Sequence, residues 1–288
     1  MDNNQRHRLA DSLLSDLTNT PWPSNAQEPD YVATLVNVLP GYITNSLTQI
    51  LPRCAISSGG AFIHQKPLAH FLNRTGMKDP ELGDLLVVCR ERRFSGTVYN
   101  AMLLQAKCTA NPFCTSLSGD HQFVLYSEWP EFEYKRAGVL NGKRRSVLPK
   151  TITQGAQYLL IAEKSPIELY TATVNRSLNG SKLFAMTLAS IISFDAGRTF
   201  QVNNPRDHWS QMILDLLRMT ASSVYTRRNS GFVGAIRWKG DEAFDYILNG
   251  RLQNNNDINN KTLLLTNENS KDNNSGINVV CVDLGARS

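Results

Sequence analysis

Apolar residues recur at helical spacing near the start of the chain, where Leu9, Leu13, Leu14 and Leu17 predict a short amphipathic helix. The stretch from Thr18 to Pro29 carries three prolines and reads as a linker. A second helical pattern starts near Tyr31 and runs to about Leu51, with Pro40-Gly41 expected to kink or split it. Ser57-Ser58-Gly59-Gly60 reads as a turn, and a short strand is expected over Ala61 to His64.

The pattern then changes to short apolar runs. Leu85 to Cys89 is a five-residue run bounded by polar residues, and Val98 to Ala106 is the next. The connection between them, Arg92 to Thr97, is short, polar and contains Gly96, so the two runs predict a β-hairpin. Residues 120–128 read as a short helix, and Tyr158 to Ala162 as a buried strand. Residues 183–194 and 208–225 read as helices. The second of these follows an N-cap at Asp207. It sets Trp209, Met212, Ile213, Leu216, Leu217 and Val224 on one side, as core or as a homodimer interface. Residues 251–276 hold nine asparagines in 26 positions and read as a long loop, with Leu263-Leu264-Leu265 as a candidate strand inside it. Ile277 to Leu284 reads as a closing strand, and no internal repeat is evident.

This pattern predicts an α/β fold: a mixed sheet flanked by helices, followed by a mainly helical C-terminal extension. The expected segments are 1–27 (helix and linker), 28–165 (core) and 166–288 (helices, Asn-rich loop and final strand). Composition supports a sizeable core, with 41% hydrophobic and 19% charged residues over 288 positions. The net charge of +5 permits a phosphate-bearing partner without requiring one. The cysteines, Cys54, Cys89, Cys108, Cys114 and Cys281, are odd in number and scattered, so reduced thiols are expected rather than a disulfide framework. The N-terminal residues lack the apolar stretch of a signal peptide, and the longest near-apolar run, Leu183 to Ile192, is too short for a membrane span. A cytoplasmic protein with no membrane partner is the expectation.

Three polar residues on the hairpin carry the chemistry. Gln105 and Lys107 are two apart on one strand and project from the same face. Asp84 just precedes the partner strand. A turn at Phe94-Ser95 pairs Asp84 with Gln105, whereas a turn at Ser95-Gly96 pairs it with Lys107. Either register gathers all three at one end of the hairpin.

Pro80-Glu81-Leu82-Gly83-Asp84 followed by Gln105-Ala106-Lys107 resembles the PD-(D/E)XK nuclease superfamily, in the variant where Gln replaces the second acid. Mrr-like restriction endonucleases and nuclease effectors of bacterial antiphage defence are of this kind. The resemblance spans residues 28–165 and implies a restriction-endonuclease-like α-β-β-β-α-β core. It implies Mg²⁺- or Mn²⁺-dependent hydrolysis of DNA phosphodiesters, in restriction or antiphage defence. Asp84 and Gln105 would be the metal ligands and Lys107 the catalytic lysine. The oxygens of Asp84 and Gln105 suit a hard divalent cation. Lys107 would orient or help deprotonate the attacking water.

The chain departs from that family in one respect: the helix predicted at 31–51 contains no acid, and Glu28 and Asp30 lie just before it. Glu81, His64 and Gln122 are accessory candidates, and Asp120 lies beside Gln122. Lys135, Arg136, Lys143, Arg144, Arg145 and Lys150 fall in a stretch without an acid and are the candidate DNA contacts. Arg90, Arg92 and Arg93 at the hairpin tip form a second basic group, and Arg227, Arg228, Arg237 and Lys239 a third. Trp129, Phe132 and Tyr134 are expected to pack on the core rather than stack on bases. Cys108 has no placed histidine and is not read as a nucleophile. The alternative function is a catalytically degenerate nuclease fold that binds nucleic acid or a partner protein. In the enzymatic reading, a partner protein that gates the activity is a further expectation.

Overall fold

The computed structural model describes residues 1–63, 66–74, 76–117, 121–225, 242–252 and 276–287. The first half holds helices α1 (Asn3–Thr18) and α2 (Glu28–Ile50) and strands β1 (Cys54–Ala61), β2 (Leu68–Phe71), β3 (Leu85–Arg93), β4 (Gly96–Thr109) and β5 (Thr115–Ser116). Helix α3 (His121–Glu128) is followed by β6 (Phe132–Lys135), β7 (Arg144–Arg145), β8 (Ala156–Ala162), β9 (Glu168–Ala172), β10 (Ser177–Leu178) and β11 (Lys182–Leu183). Then come α4 (Phe184–Ile192), β12 (Arg198–Thr199), α5 (His208–Tyr225), α6 (Glu242–Leu252) and β13 (Asn278–Arg287).

Eight of the described strands form one mixed sheet in the order β1-β13-β3-β4-β8-β9-β11, with β12 paired to β4. The β3–β4 hairpin is antiparallel, and Leu85 faces Leu104 and Arg93 faces Gly96. Strand β8 runs parallel to β4, after the crossover through α3. Strand β13 runs parallel to β3 and antiparallel to β1. A smaller sheet, β2-β6-β7, stands apart from it.

Alternation along the strands builds two cores. Leu86, Val88, Ala101, Leu103, Tyr158, Val279 and Cys281 share one core with residues of α3, α5 and α6, including Tyr126, Trp209, Met212 and Phe244. Leu85, Val87, Met102, Leu104, Leu159, Val280 and Val282 share the other with Leu13 of α1, Leu35 and Leu39 of α2, and Leu188 of α4. The predicted α/β class, a mixed sheet flanked by helices, is what the chain adopts.

Three local expectations are corrected. Helix α2 starts at Glu28, three positions earlier than predicted, because Asp30 accepts a 2.8 Å bond from the Gln27 backbone N–H and closes the first turn. It then runs unbroken through Pro40 to Ile50. The Ser57–Gly60 segment is strand, not turn. A Cβ on Gly60 would lie 2.5 Å from the Val36 carbonyl of α2, and one on Gly59 would lie 2.6 Å from the Ile247 carbonyl of α6. The glycines are there so that two helix backbones can close on β1 from opposite sides. The C-terminal part carries α4, α5 and α6, as expected of a mainly helical extension, and it also gives β9, β11, β12 and β13 to the main sheet, with β13 lying between β1 and β3. The candidate strand at Leu263–Leu265 and the Arg227–Lys239 basic group lie outside the described residues. No helix among the described residues is long and apolar enough to cross a membrane.

Candidate active site

The hairpin register pairs Asp84 with Gln105, the first of the two alternatives, since Leu85 and Leu104 are partners. The Asp84 backbone N–H continues the ladder with a 2.9 Å bond to the Leu104 carbonyl. The carboxylate of Asp84 is buried, at 1% exposure, and it is fully hydrogen-bonded. Its Oδ2 accepts from the Gln105 side-chain amide and, at 2.8 Å, from the Ala106 backbone N–H. Its Oδ1 accepts from the Lys66 ammonium. Gln105 is equally enclosed, and its Oε1 is a buried acceptor with no partner among the described residues.

The polypeptide around Asp84 is anchored on both sides. Tyr126 of α3 donates a 2.8 Å bond to the Leu82 carbonyl, and Leu82 N–H bonds the Pro67 carbonyl at 3.0 Å. Ala69 N–H bonds the Pro80 carbonyl at 2.9 Å, so the segment after Lys66 is stitched to the segment before Asp84. Asn278, the first residue of β13, is 1% exposed. It donates to the Asp84 carbonyl at 2.7 Å and accepts from Ile63 N–H at 2.7 Å. One side chain thereby ties the site to both neighbouring strands.

Glu28 supplies the acid absent from the predicted 31–51 helix. Because α2 begins at Glu28, its carboxyl comes to the end of β4, where it takes a bond from the Cys108 backbone N–H and feels the charges of Asp84, Lys107 and Lys66. Burial, reinforced by Asp84, raises its pKa to about 7, while Lys107, Lys66 and the Cys108 N–H oppose the rise. Lys107 is half-buried, two positions after Gln105 on β4. Burial disfavours the charged form of Lys66, but Asp84 and Glu81 outweigh it and hold its pKa above the usual lysine range. Glu81 lies 3.3 Å from the Lys66 ammonium. Gln122 is half-buried in the first turn of α3. His64 and Asp120 lie outside the described residues.

No group of three or more His, Cys, Asp or Glu side chains among the described residues stands close enough to hold a metal ion. The oxygen donors that do converge are the Asp84 carboxylate and the unpartnered Gln105 Oε1, with Glu28 and Glu81 nearby. An uncompensated buried amide oxygen beside a carboxylate suits a hard cation. The burial of Cys108, helped by Glu163 and Glu28, lifts its thiol to about 12, which removes it as a nucleophile at neutral pH.

The basic candidates divide by environment. Arg145 is 4% exposed and pairs with Asp215 of α5, itself 1% exposed. Asp215 also takes bonds from Tyr134 at 3.2 Å and Lys143 at 3.1 Å. The expectation of a surface Arg145 is thus corrected: a buried carboxylate on α5 needs a buried cation, and Arg145 meets it. Lys135 pairs with Glu133 at 2.9 Å, and Lys150 donates to the Trp129 carbonyl at 2.6 Å. Arg136 and Arg144 are exposed. The hairpin-tip arginines are likewise committed. Arg90 forms a two-pronged bond to Asp283 at 2.9 and 2.8 Å, Arg92 reaches the same carboxylate at 2.9 Å, and Arg93 pairs with Glu91. Trp129, Phe132 and Tyr134 are fully buried, as expected.

Lys66 and Asn278 are the site residues that sequence reasoning missed. Lys66 lies two positions after His64 and carries no motif of its own. Asn278 carried a signal, being a polar residue between Ile277 and Val279 in an otherwise apolar strand. Comparison with protein-family models, curated proteins and solved structures finds no significant match to this chain.

Proposed function

We propose that this chain is a Mg²⁺-dependent DNA endonuclease of the PD-(D/E)XK type, with Gln105 in place of the second acid. The observation that carries the proposal is the convergence of Asp84 and Gln105 at one end of the hairpin, with Lys107 two positions on and Glu28 coupled to Asp84 and Lys107 from the start of α2. The element order also supports it: α2, β1, β3, β4, α3 and β8 follow the expected α-β-β-β-α-β sequence, with β8 parallel to β4 and β13 inserted as an additional strand.

In this reading Asp84 and Gln105 Oε1 hold the cation, and Glu28 is the nearest further acid. The cation, when bound, supplies charge stabilisation at the phosphate and makes a water easier to deprotonate. Lys107 orients that water and offsets negative charge gathering on the phosphate. Arg136 and Arg144, exposed and free of acids in their own stretch, contact the DNA backbone. Restriction or antiphage defence is the setting that the resemblance implies, and a gating partner belongs to the same proposal.

One observation favours the second reading, a nuclease fold that has lost catalysis: the Asp84 carboxylate is already satisfied by protein donors, Lys66 among them. The experiment that separates the two is plasmid cleavage by the purified chain with Mg²⁺ or Mn²⁺. Cleavage that Lys107→Ala abolishes, at unchanged thermal stability, supports the enzyme. Salt-sensitive DNA binding without cutting under either metal supports the degenerate fold.

A further inference from the structure

Lys66 holds the one side of Asp84 that a metal would need. Asp84 Oδ2 is taken by two donors from β4, the Gln105 side-chain amide and the Ala106 backbone N–H. Only Oδ1 remains, and the Lys66 ammonium sits on it while lying 3.3 Å from Glu81. A Mg²⁺-sized ion binds a carboxylate oxygen at about 2.0–2.1 Å, so it cannot share that approach with an ammonium. Two cations at such range also repel strongly in a buried setting. Lys66, only 9% exposed, therefore competes with a divalent ion for the same carboxylate.

The backbone and the side chain of Lys66 have different freedom. The bonds from Leu82 to Pro67 and from Ala69 to Pro80 fix the chain just after Lys66. The lysine stem has four carbons and rotatable bonds, so the ammonium can leave while the backbone stays. Local charge favours the exchange. Lys66 is the cation in contact with both Asp84 and Glu81, and its withdrawal leaves these two carboxylates open to a dication.

We propose that Lys66 is a displaceable counter-ion: it neutralises Asp84 and Glu81 when no metal is bound, and its withdrawal is the step that admits the divalent ion. This rests on the nuclease reading above. Lys66 is a positioning residue in this role, since it acts on the metal ligands and not on the substrate.

The test uses the full chain and Mn²⁺ alone, with binding followed by electron paramagnetic resonance. Lys66→Met should bind Mn²⁺ at least about 10-fold more tightly than the unmodified protein, because it removes the competitor and leaves the carboxylates. Lys66→Arg should not gain affinity. A lysine needed only to hold the fold of the site would give weaker binding on substitution. Should Lys66→Met fail to fold, the unmodified protein decides. Acetylation of Lys66 by an amine reagent, read by peptide mass spectrometry, should speed up several-fold when Mn²⁺ saturates the site. Equal Mn²⁺ affinity in both proteins, or acetylation that Mn²⁺ leaves unchanged or slows, overturns the counter-ion role. If the unmodified protein still binds Mn²⁺ and cuts DNA in that case, only this inference falls. If no variant binds Mn²⁺ and no DNA is cut, the nuclease reading falls and the counter-ion role falls with it.

Discussion

Gln105 donates its amide to Asp84 and leaves its own carbonyl oxygen buried without an acceptor's partner among the described residues. The donated half of the amide is what allows the pair to coexist without metal. A glutamate at 105, the acid more usual in the family resemblance, could donate only by taking up a proton, and when ionised would set a second carboxylate against Asp84.

Gln105→Glu should therefore destabilise the metal-free protein by about 1–3 kcal/mol, or roughly 2–10 °C in Tm, and millimolar Mg²⁺ should restore the loss. Thermal denaturation with and without Mg²⁺ checks this. A variant as stable as the parent in chelator would show that the Gln105–Asp84 bond does not hold the site.

Glu28 gives a pH-dependent expectation. Its pKa is about 7 in the folded chain against an ordinary value of 4.5, with burial the main cause. The folded state keeps a proton that the unfolded chain releases, so the contribution of this group is complete below pH 4.5 and is lost as the pH rises to about 7. Glu28→Gln should remove that slope. Relative to the parent, the variant should gain up to about 3 kcal/mol between those pH values, with no further change above. Urea unfolding of both proteins across the window measures it, and parallel curves would refute it.

The basic residues should separate into two behaviours. Arg145→Met leaves the Asp215 carboxylate buried and reliant on Lys143 and Tyr134, and should cost about 3–5 kcal/mol of stability. Arg136→Ala with Arg144→Ala should leave stability within about 0.5 kcal/mol and lower the salt dependence of DNA binding by about two phosphate contacts. Denaturation and DNA titrations at several salt concentrations give both readings. An unchanged salt slope in the double variant would remove this surface as a DNA contact.

Strand β13 supplies a further test. Val279, Val280, Cys281 and Val282 are all completely buried between β1 and β3, and Asn278 binds Asp84. A fragment ending at residue 165 should not fold alone. Addition of a peptide covering residues 276–288 should not suffice either, since β9, β11, α4 and α5 are also missing from that fragment. Circular dichroism and amide exchange decide it, and a cooperative melt of the 28–165 fragment would contradict the single-sheet arrangement.

The local code was legible. Short apolar runs around Gly96 announced the hairpin, periodic leucines announced α1 and α2, and Asp207 announced the start of α5, where it takes a 2.8 Å bond from the Ser210 N–H. These features depend on neighbours within a few residues, and sequence holds that information directly. That Asp84, Gln105 and Lys107 gather at one end of the hairpin was legible for the same reason, although two registers stayed open until the structure set Leu85 opposite Leu104.

Partners distant in sequence were settled only by the tertiary structure. The pairing of Arg145 with Asp215 joins residues 70 positions apart, and that of Arg90 with Asp283 joins residues 193 apart. In the sequence these arginines look like surface charge, because nothing nearby neutralises them. Gly59 and Gly60 look like a turn until α2 and α6 close on them. Glu28 looked like linker until its helix began three residues early and brought it to Asp84, and Lys66 looked incidental until the sheet set it on the same carboxylate. The sequence alone determined the long helices α1, α2 and α5 and where the polar hairpin lies, since those follow from local periodicity. Burial and long-range pairing decided which charges are structural and which surround Asp84, and those exist only once the chain is packed.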